Sequence, residues 1–240
     1  MDMRTLSFIL LILLLAGCQK EKPLNLDNVT VGKFIKANYL EDSKQLYLRE
    51  ILSDKDHPNY NNAILDKNGI NQILRMFQLI YNLNSPETDT VFNIYNIHVL
   101  ACRSLNSIIL KVDVSSPEII NLAKGNVSTG NIALDKILTD YEFDSVKTAY
   151  SYPKFPWLSI YTKKSYNLMP IMKGLEKIPS ILMAENNGSC FDGNDIRLKQ
   201  EMNKATINFS IGRGDCPAGC IYRRSWNYIV TNKAYFLGTK

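Results

Sequence analysis

Between Arg4 and Cys18 the chain carries no charged residue. An apolar run from Leu6 to Leu15 follows the single basic residue and closes on Leu15-Ala16-Gly17-Cys18. A basic start, an apolar middle and small residues before a cut form the layout of a secretory signal. The run is about half the ~20 residues that a helix needs to cross a bilayer. This stretch constrains everything downstream. It takes residues 1–17 out of the fold and places 18–240 in an oxidising compartment, where cysteines pair.

The chain has 5 Cys. With Cys18 at the cut, Cys102, Cys190, Cys216 and Cys220 remain, an even set that reads as two disulfides. Three pairings are open. The preferred one joins Cys216 to Cys220 locally and leaves Cys102 for Cys190. Net charge is +5 and stays so after Asp2 and Arg4 are removed together. Lys and Arg are dispersed rather than gathered into the stripe of a nucleic-acid binder, so no nucleic-acid partner is expected. The charge suits an anionic membrane surface without naming a partner. The mature length supports a real core without metals.

Leu15-Ala16-Gly17-Cys18 resembles the lipobox of bacterial lipoproteins. The resemblance implies that Cys18 carries a diacylglycerol, that the signal is cut before it, and that the new amino group is acylated, palmitate being a typical chain. Several acyl chains anchor stably where one does not. Gln19-Lys20-Glu21-Lys22 resembles the short signal that sends lipoproteins to the surface in some Gram-negative lineages, with Lys22 where a second acid is usual. The implied location is the outer membrane, facing periplasm or surface. Residues 18–32 read as a polar tether.

Residues 33–240 read as one α+β globular domain with three parts. The helical part is 33–88. It holds a short helix at 44–52 and a strongly periodic one whose stripe is Ile70, Ile73, Leu74, Phe77, Ile80 and Tyr81, capped by Asp66. The part 89–187 opens with a strand over Thr90 to Leu100. Strands at 107–114, 145–150, 157–162 and 179–185, with helices from Pro117, over 132–141 and over 167–175, then give β-α-β-β-α-β, a ferredoxin-like split unit. The last part, 188–240, is a three-strand β-meander over 205–211, 221–230 and 234–237 that would extend the same sheet.

Residues 131–186 resemble the pro-region of subtilisin-type proteases, through Leu134-Asp135-Lys136-Ile137-Leu138, the strand around Ile160, the helix ending at Leu175, and Ile178-Pro179-Ser180-Ile181 with Ala184-Glu185-Asn186. The resemblance implies a protease inhibitor, with Asn187-Gly188-Ser189-Cys190 in place of the inhibitory tail. The whole mature chain also resembles a group of uncharacterised secreted bacterial proteins, through Leu48-Arg49-Glu50-Ile51-Leu52, Asp89-Thr90-Val91-Phe92 and Gly214-Asp215-Cys216-Pro217-Ala218-Gly219-Cys220. It implies no activity. Asp89-Thr90-Val91 and Asp144-Ser145-Val146 are similar to acceptors of protein O-glycosylation in some bacteria.

No residue set assembles an active site. Only His57, in a polar loop, and His98, among apolar neighbours, offer imidazole, and no nucleophile elbow accompanies them. Cys216 and Cys220 lack the further ligands of a metal site, and their spacing is not Cys-x-x-Cys, so the pair reads as a loop staple. Asp192-Gly193-Asn194-Asp195 matches only a fragment of a calcium loop. Arg213-Gly214-Asp215 spells the tripeptide that integrins read. Tyr222, Trp226 and Tyr228 share one strand face, which either joins the core or stacks on a sugar or peptide. The expectation is a non-enzymatic lipoprotein without cofactor or metal that binds a protein or glycan. The alternatives are a protease inhibitor and a carboxylate-dependent hydrolase.

Overall fold

The computed structural model describes residues 24–240, so Cys18 and the surface-signal segment lie outside the described residues. The fold is mixed α+β with two antiparallel sheets of four strands, one ordered Phe143–Thr148, Trp157–Thr162, Ser107–Val112, Ile181–Asn186 and the other Asp195–Gln200, Ala205–Arg213, Tyr222–Val230, Ala234–Thr239. Each sheet has its own core.

The first core lies under two long helices. Helix α1, Lys33–Ser53, starts well before the expected 44–52. Its early stripe of Ile35, Tyr39, Asp42 and Leu46 mixes polar with apolar residues, which hides the period. The polar members are satisfied inside. Asp42 accepts from the Val99 N–H at 2.6 Å, and Ser43 Oγ donates to the Tyr39 carbonyl at 2.8 Å. Helix α2, Lys67–Tyr81, forms as the period predicts. Its Asp66 cap accepts from Asn68 and Gly69 N–H groups. Ile73, Phe77 and Ile80 have no exposed surface. Part of the expected tether also belongs to this core, since Leu26 is buried and the Leu24 N–H donates to the Met202 carbonyl.

Thr90 to Leu100 is not a strand. Ser85 caps a short helix α3, Pro86–Asp89, which runs on as a π-helical turn over Thr90–Ile94. Pro at its first position and Glu87 and Asp89 in its first turn favour a helix there. The Tyr95 N–H donates back to the Thr90 carbonyl and the Ile97 N–H to that of Val91, so the backbone bonds here are local turns and not a sheet ladder. Strand propensity yields to packing.

The second core is the ferredoxin-like unit. Strands β1 (Ser107–Val112), β2 (Phe143–Thr148), β3 (Trp157–Thr162) and β4 (Ile181–Asn186) alternate with helices α4 (Pro117–Ala123), α5 (Ile132–Asp140) and α6 (Leu168–Leu175). β1 is central, antiparallel to both β3 and β4, and β2 closes the far edge on β3. This is the βαββαβ order the sequence pattern predicts. Helix residues Leu134, Leu138, Ile171 and Leu175 cover Ile108, Leu110, Leu158 and Ile160 on one sheet face.

The carboxy-terminal sheet corrects the meander. It has a fourth strand, β5 (Asp195–Gln200), beside β6 (Ala205–Arg213), β7 (Tyr222–Val230) and β8 (Ala234–Thr239). It does not extend the first sheet. Its inner face, with Ile207, Phe209, Trp226 and Tyr228, packs instead into the core of α1 and α2. β5 escapes sequence reading because four of its six residues are charged or polar and the buried one among them, Asp195, is neutralised from a distance. The two halves are joined at several points. Asn186 donates to and accepts from the Ser104 backbone, and Asn167 Nδ2 donates to the carbonyls of Tyr60 and Asn62.

Candidate functional site

Both expected cysteine pairs stand at disulfide distance. Cys102 and Cys190 have Cα atoms 4.4 Å apart, and those of Cys216 and Cys220 are 3.9 Å apart. The fold brings the two pairs to one end of the second sheet. The link between them is Asp192, two residues after Cys190. Its N–H donates to the Cys216 carbonyl, and its carboxylate accepts from the Cys220 N–H at 2.8 Å, from Gly193 and from Arg223. These bonds, led by the Cys220 N–H, hold the Asp192 carboxyl below the usual carboxylate range. Gly212 lies so close to the Cys220 sulfur that a side chain there would collide with it.

The calcium-loop fragment is therefore not a cation site. Asp192 is spent on the loop, Asn194 accepts from the Gly212 N–H, and Asp195 accepts from Leu100 N–H, Arg49 and Arg197. Among the described residues no group of three or more metal-ligating side chains forms.

The aromatic stripe divides along its length. Strand alternation does place Tyr222, Arg224, Trp226 and Tyr228 on one face. Trp226 and Tyr228 are 1% and 0% exposed, under the helices, so they are core and not ligand-facing. The helix layer ends before the strand does, and Tyr222 is 72% exposed. The neighbouring strand supplies the rest of this overhang, since Arg213 pairs with Tyr222 and Ile211 with Arg224 in the ladder. The π-helical turn delivers Tyr95, whose ring lies 5.7 Å from that of Trp226. A cavity of about 210 Å³ opens here, lined by Tyr95, Ile211, Arg213, Tyr222, Arg223 and Arg224. Sequence reading misses Tyr95 and Arg213 as members because they come from separate segments. The one signal available was the alternation that set Arg224 beside the stripe.

The remaining candidates stay apart. His98 Nδ1 is 2.8 Å from Asp42 Oδ2 and its ring stacks on Tyr39, a carboxylate–imidazole pair to which no hydroxyl or thiol nucleophile is bonded among the described residues. His57 Nδ1 accepts from the Asn59 N–H within its own turn. Each of five surface cavities among the described residues carries at most one carboxylate, so none assembles an acid–base pair. A groove by α1 and β5 holds Glu50, whose carboxyl is pushed up by burial while a hydrogen bond from Gln200 opposes that shift. Arg213, Gly214 and Asp215 are exposed, with Gly214 at φ +98°. Of the two acceptor-like triplets, Thr90 donates to the Pro86 carbonyl beside buried Val91, while Ser145 is exposed on edge strand β2.

On the ferredoxin-like unit, the sheet face turned away from the helices carries half-buried Ile109, Trp157, Tyr161 and Met183. Lys111 and Lys147 lie over the Trp157 and Tyr161 rings at 6.0 and 5.0 Å. Comparison of the chain with protein-family models, curated proteins and solved structures found no match.

Proposed function

We propose that this chain is a lipid-anchored, non-enzymatic binding module of the bacterial cell envelope, tethered through Cys18 and meeting its partner with the stapled end of its second sheet. The lipobox-like tetrad supports the anchor. Two cysteine pairs at disulfide distance suit an exported chain. The observation that carries the reading is the fastening of that end. Asp192 ties the Cys216–Cys220 loop to the Cys190 segment, so an exposed Tyr222 and its arginine neighbours stand on a braced surface. Preorganised side chains lose less freedom on binding. Membrane fractionation tests the anchor. Wild type sediments with membranes and Cys18→Ala moves to the soluble fraction. A Cys18→Ala protein that still sediments removes the anchor.

A second reading, protease inhibition, is favoured by one observation. The βαββαβ unit leaves a whole sheet face with Trp157 and Tyr161 open. Against it stands the segment in the place of an inhibitory tail. Gly188 packs on the Cys102 carbonyl, Asn186 is bonded to Ser104, and Cys190 lies at disulfide distance from Cys102. Incubation with a subtilisin-type protease decides between the two readings, since inhibition lost on Trp157→Ala establishes the second and full residual activity ends it.

A further inference from the structure

We propose that the cavity between Arg213 and Arg224 binds an acidic sugar unit, a pyranose ring bearing a carboxylate or a sulfate. The proposal rests on the binding-module reading and names the ligand class of that same end of the sheet. Among the described residues neither guanidinium has a carboxylate within ion-pair distance, whereas Arg223 beside them is taken by Asp192. Among the described residues the site therefore holds two cationic charges without an ion-pair partner.

Both guanidinia are set in place by aromatic rings. Arg213 lies over Tyr95 at 6.0 Å and Arg224 over Trp226 at 5.0 Å. Tyr95 and Trp226 touch each other, so the four side chains form one continuous layer. The backbones of Arg213 and Arg224 are diagonal neighbours across β6 and β7, a separation of about 7–8 Å. A guanidinium lying on a ring keeps its in-plane N–H fork free, and that fork matches the two oxygens of a carboxylate or sulfate.

The ring-shaped part of the ligand follows from the other walls. Tyr222 and Ile211 give a flat aromatic and an aliphatic surface next to the cations. Tyr222 is exposed without being needed by the core, which suits stacking against the C–H face of a sugar. At about 210 Å³ the cavity is smaller than the ~300–1,000 Å³ that enclose a whole drug-sized ligand. It takes one unit of a larger chain.

The test titrates the full chain, purified in a nonionic detergent, with polygalacturonate, dextran sulfate, neutral dextran and polyglutamate. Binding to polygalacturonate or dextran sulfate is expected, and whichever binds tighter identifies the oxyanion. Arg213→Gln and Arg224→Gln each weaken it about tenfold, as loss of a charge-assisted hydrogen bond does, and Tyr222→Ala weakens it while Lys199→Gln leaves it unchanged. Equal binding of polyglutamate makes the site a general or peptide polyanion site and overturns the sugar assignment. Undiminished binding by the double arginine variant, or no binding of either anionic glycan, overturns the proposal. Neutral dextran bound independently of both arginines overturns it too and leaves the module reading standing.

Discussion

Arg49 Nη1 stands 3.0 Å from Asp195 Oδ1 and donates, from the same nitrogen, to the Ile196 carbonyl at 3.0 Å. One side chain of helix α1 thus fixes the start of the strand that sequence reading missed. Removing one partner of a buried ion pair costs about 3–5 kcal/mol. Arg49 is partly exposed and Arg197 still reaches Asp195. Arg49→Ala should therefore cost about 2 kcal/mol, read as a lower urea midpoint at unchanged slope.

The two cysteine pairs close loops of very different length, 88 and 4 residues apart in sequence. Chain entropy alone gives about 4.6 kcal/mol for the long loop and about 1.9 kcal/mol for the short one. The Cys102→Ser/Cys190→Ser protein should lose clearly more thermal stability than Cys216→Ser/Cys220→Ser, by calorimetry. Purified wild type should show no free thiol at these four positions.

Trp226 and Tyr222 sit on the same strand face, four residues apart, with opposite exposures. Trp226→Ala should destabilise by about 3–5 kcal/mol, the cost of emptying a large core site. Tyr222→Ala should stay within about 0.5 kcal/mol of wild type. Paired denaturant curves measure both.

Tyr228 is fully buried, and among the described residues its hydroxyl meets no partner in hydrogen-bonding geometry, Thr88 being near without closing a bond. Burial pushes its pKa up to about 12, with nearby Thr88 opposing in part. Burial, helped by Asp42, moves Tyr39 the same way. The folded state thus favours the neutral phenol. That stabilisation is complete below the ordinary tyrosine range and disappears as pH rises from ~10 to ~12. Stability should fall across this window, and Tyr228→Phe should flatten the fall. At neutral pH the same substitution should be neutral or stabilising by about 1 kcal/mol, because it deletes an unpaired polar atom.

Much of the fold was legible where periodicity was clean. The stripe from Ile70 to Ile80 and the Asp66 cap gave α2, and the alternation of apolar and turn residues gave all four strands of the ferredoxin-like unit. Legibility failed where polar residues were buried or apolar ones turned helical. Asp42 and Ser43 concealed the first half of α1, and Asp195 concealed β5. The β-branched run after Asp89 mimicked a strand because propensity was all that could be weighed.

For the candidate site, sequence determined the ingredients. It supplied four cysteines beyond the lipobox-like tetrad and a strand that sets Tyr222 and Arg224 in line with Trp226 and Tyr228. Alternation is a local property of the backbone, so it can be read without the fold. Which of those side chains meets solvent was decided only by where the helix layer stops. Which arginine of this end is paired was decided by Asp192 reaching Arg223 from a distant loop. Burial and charge pairing are set by residues far apart in the chain, and only the tertiary structure brings them together.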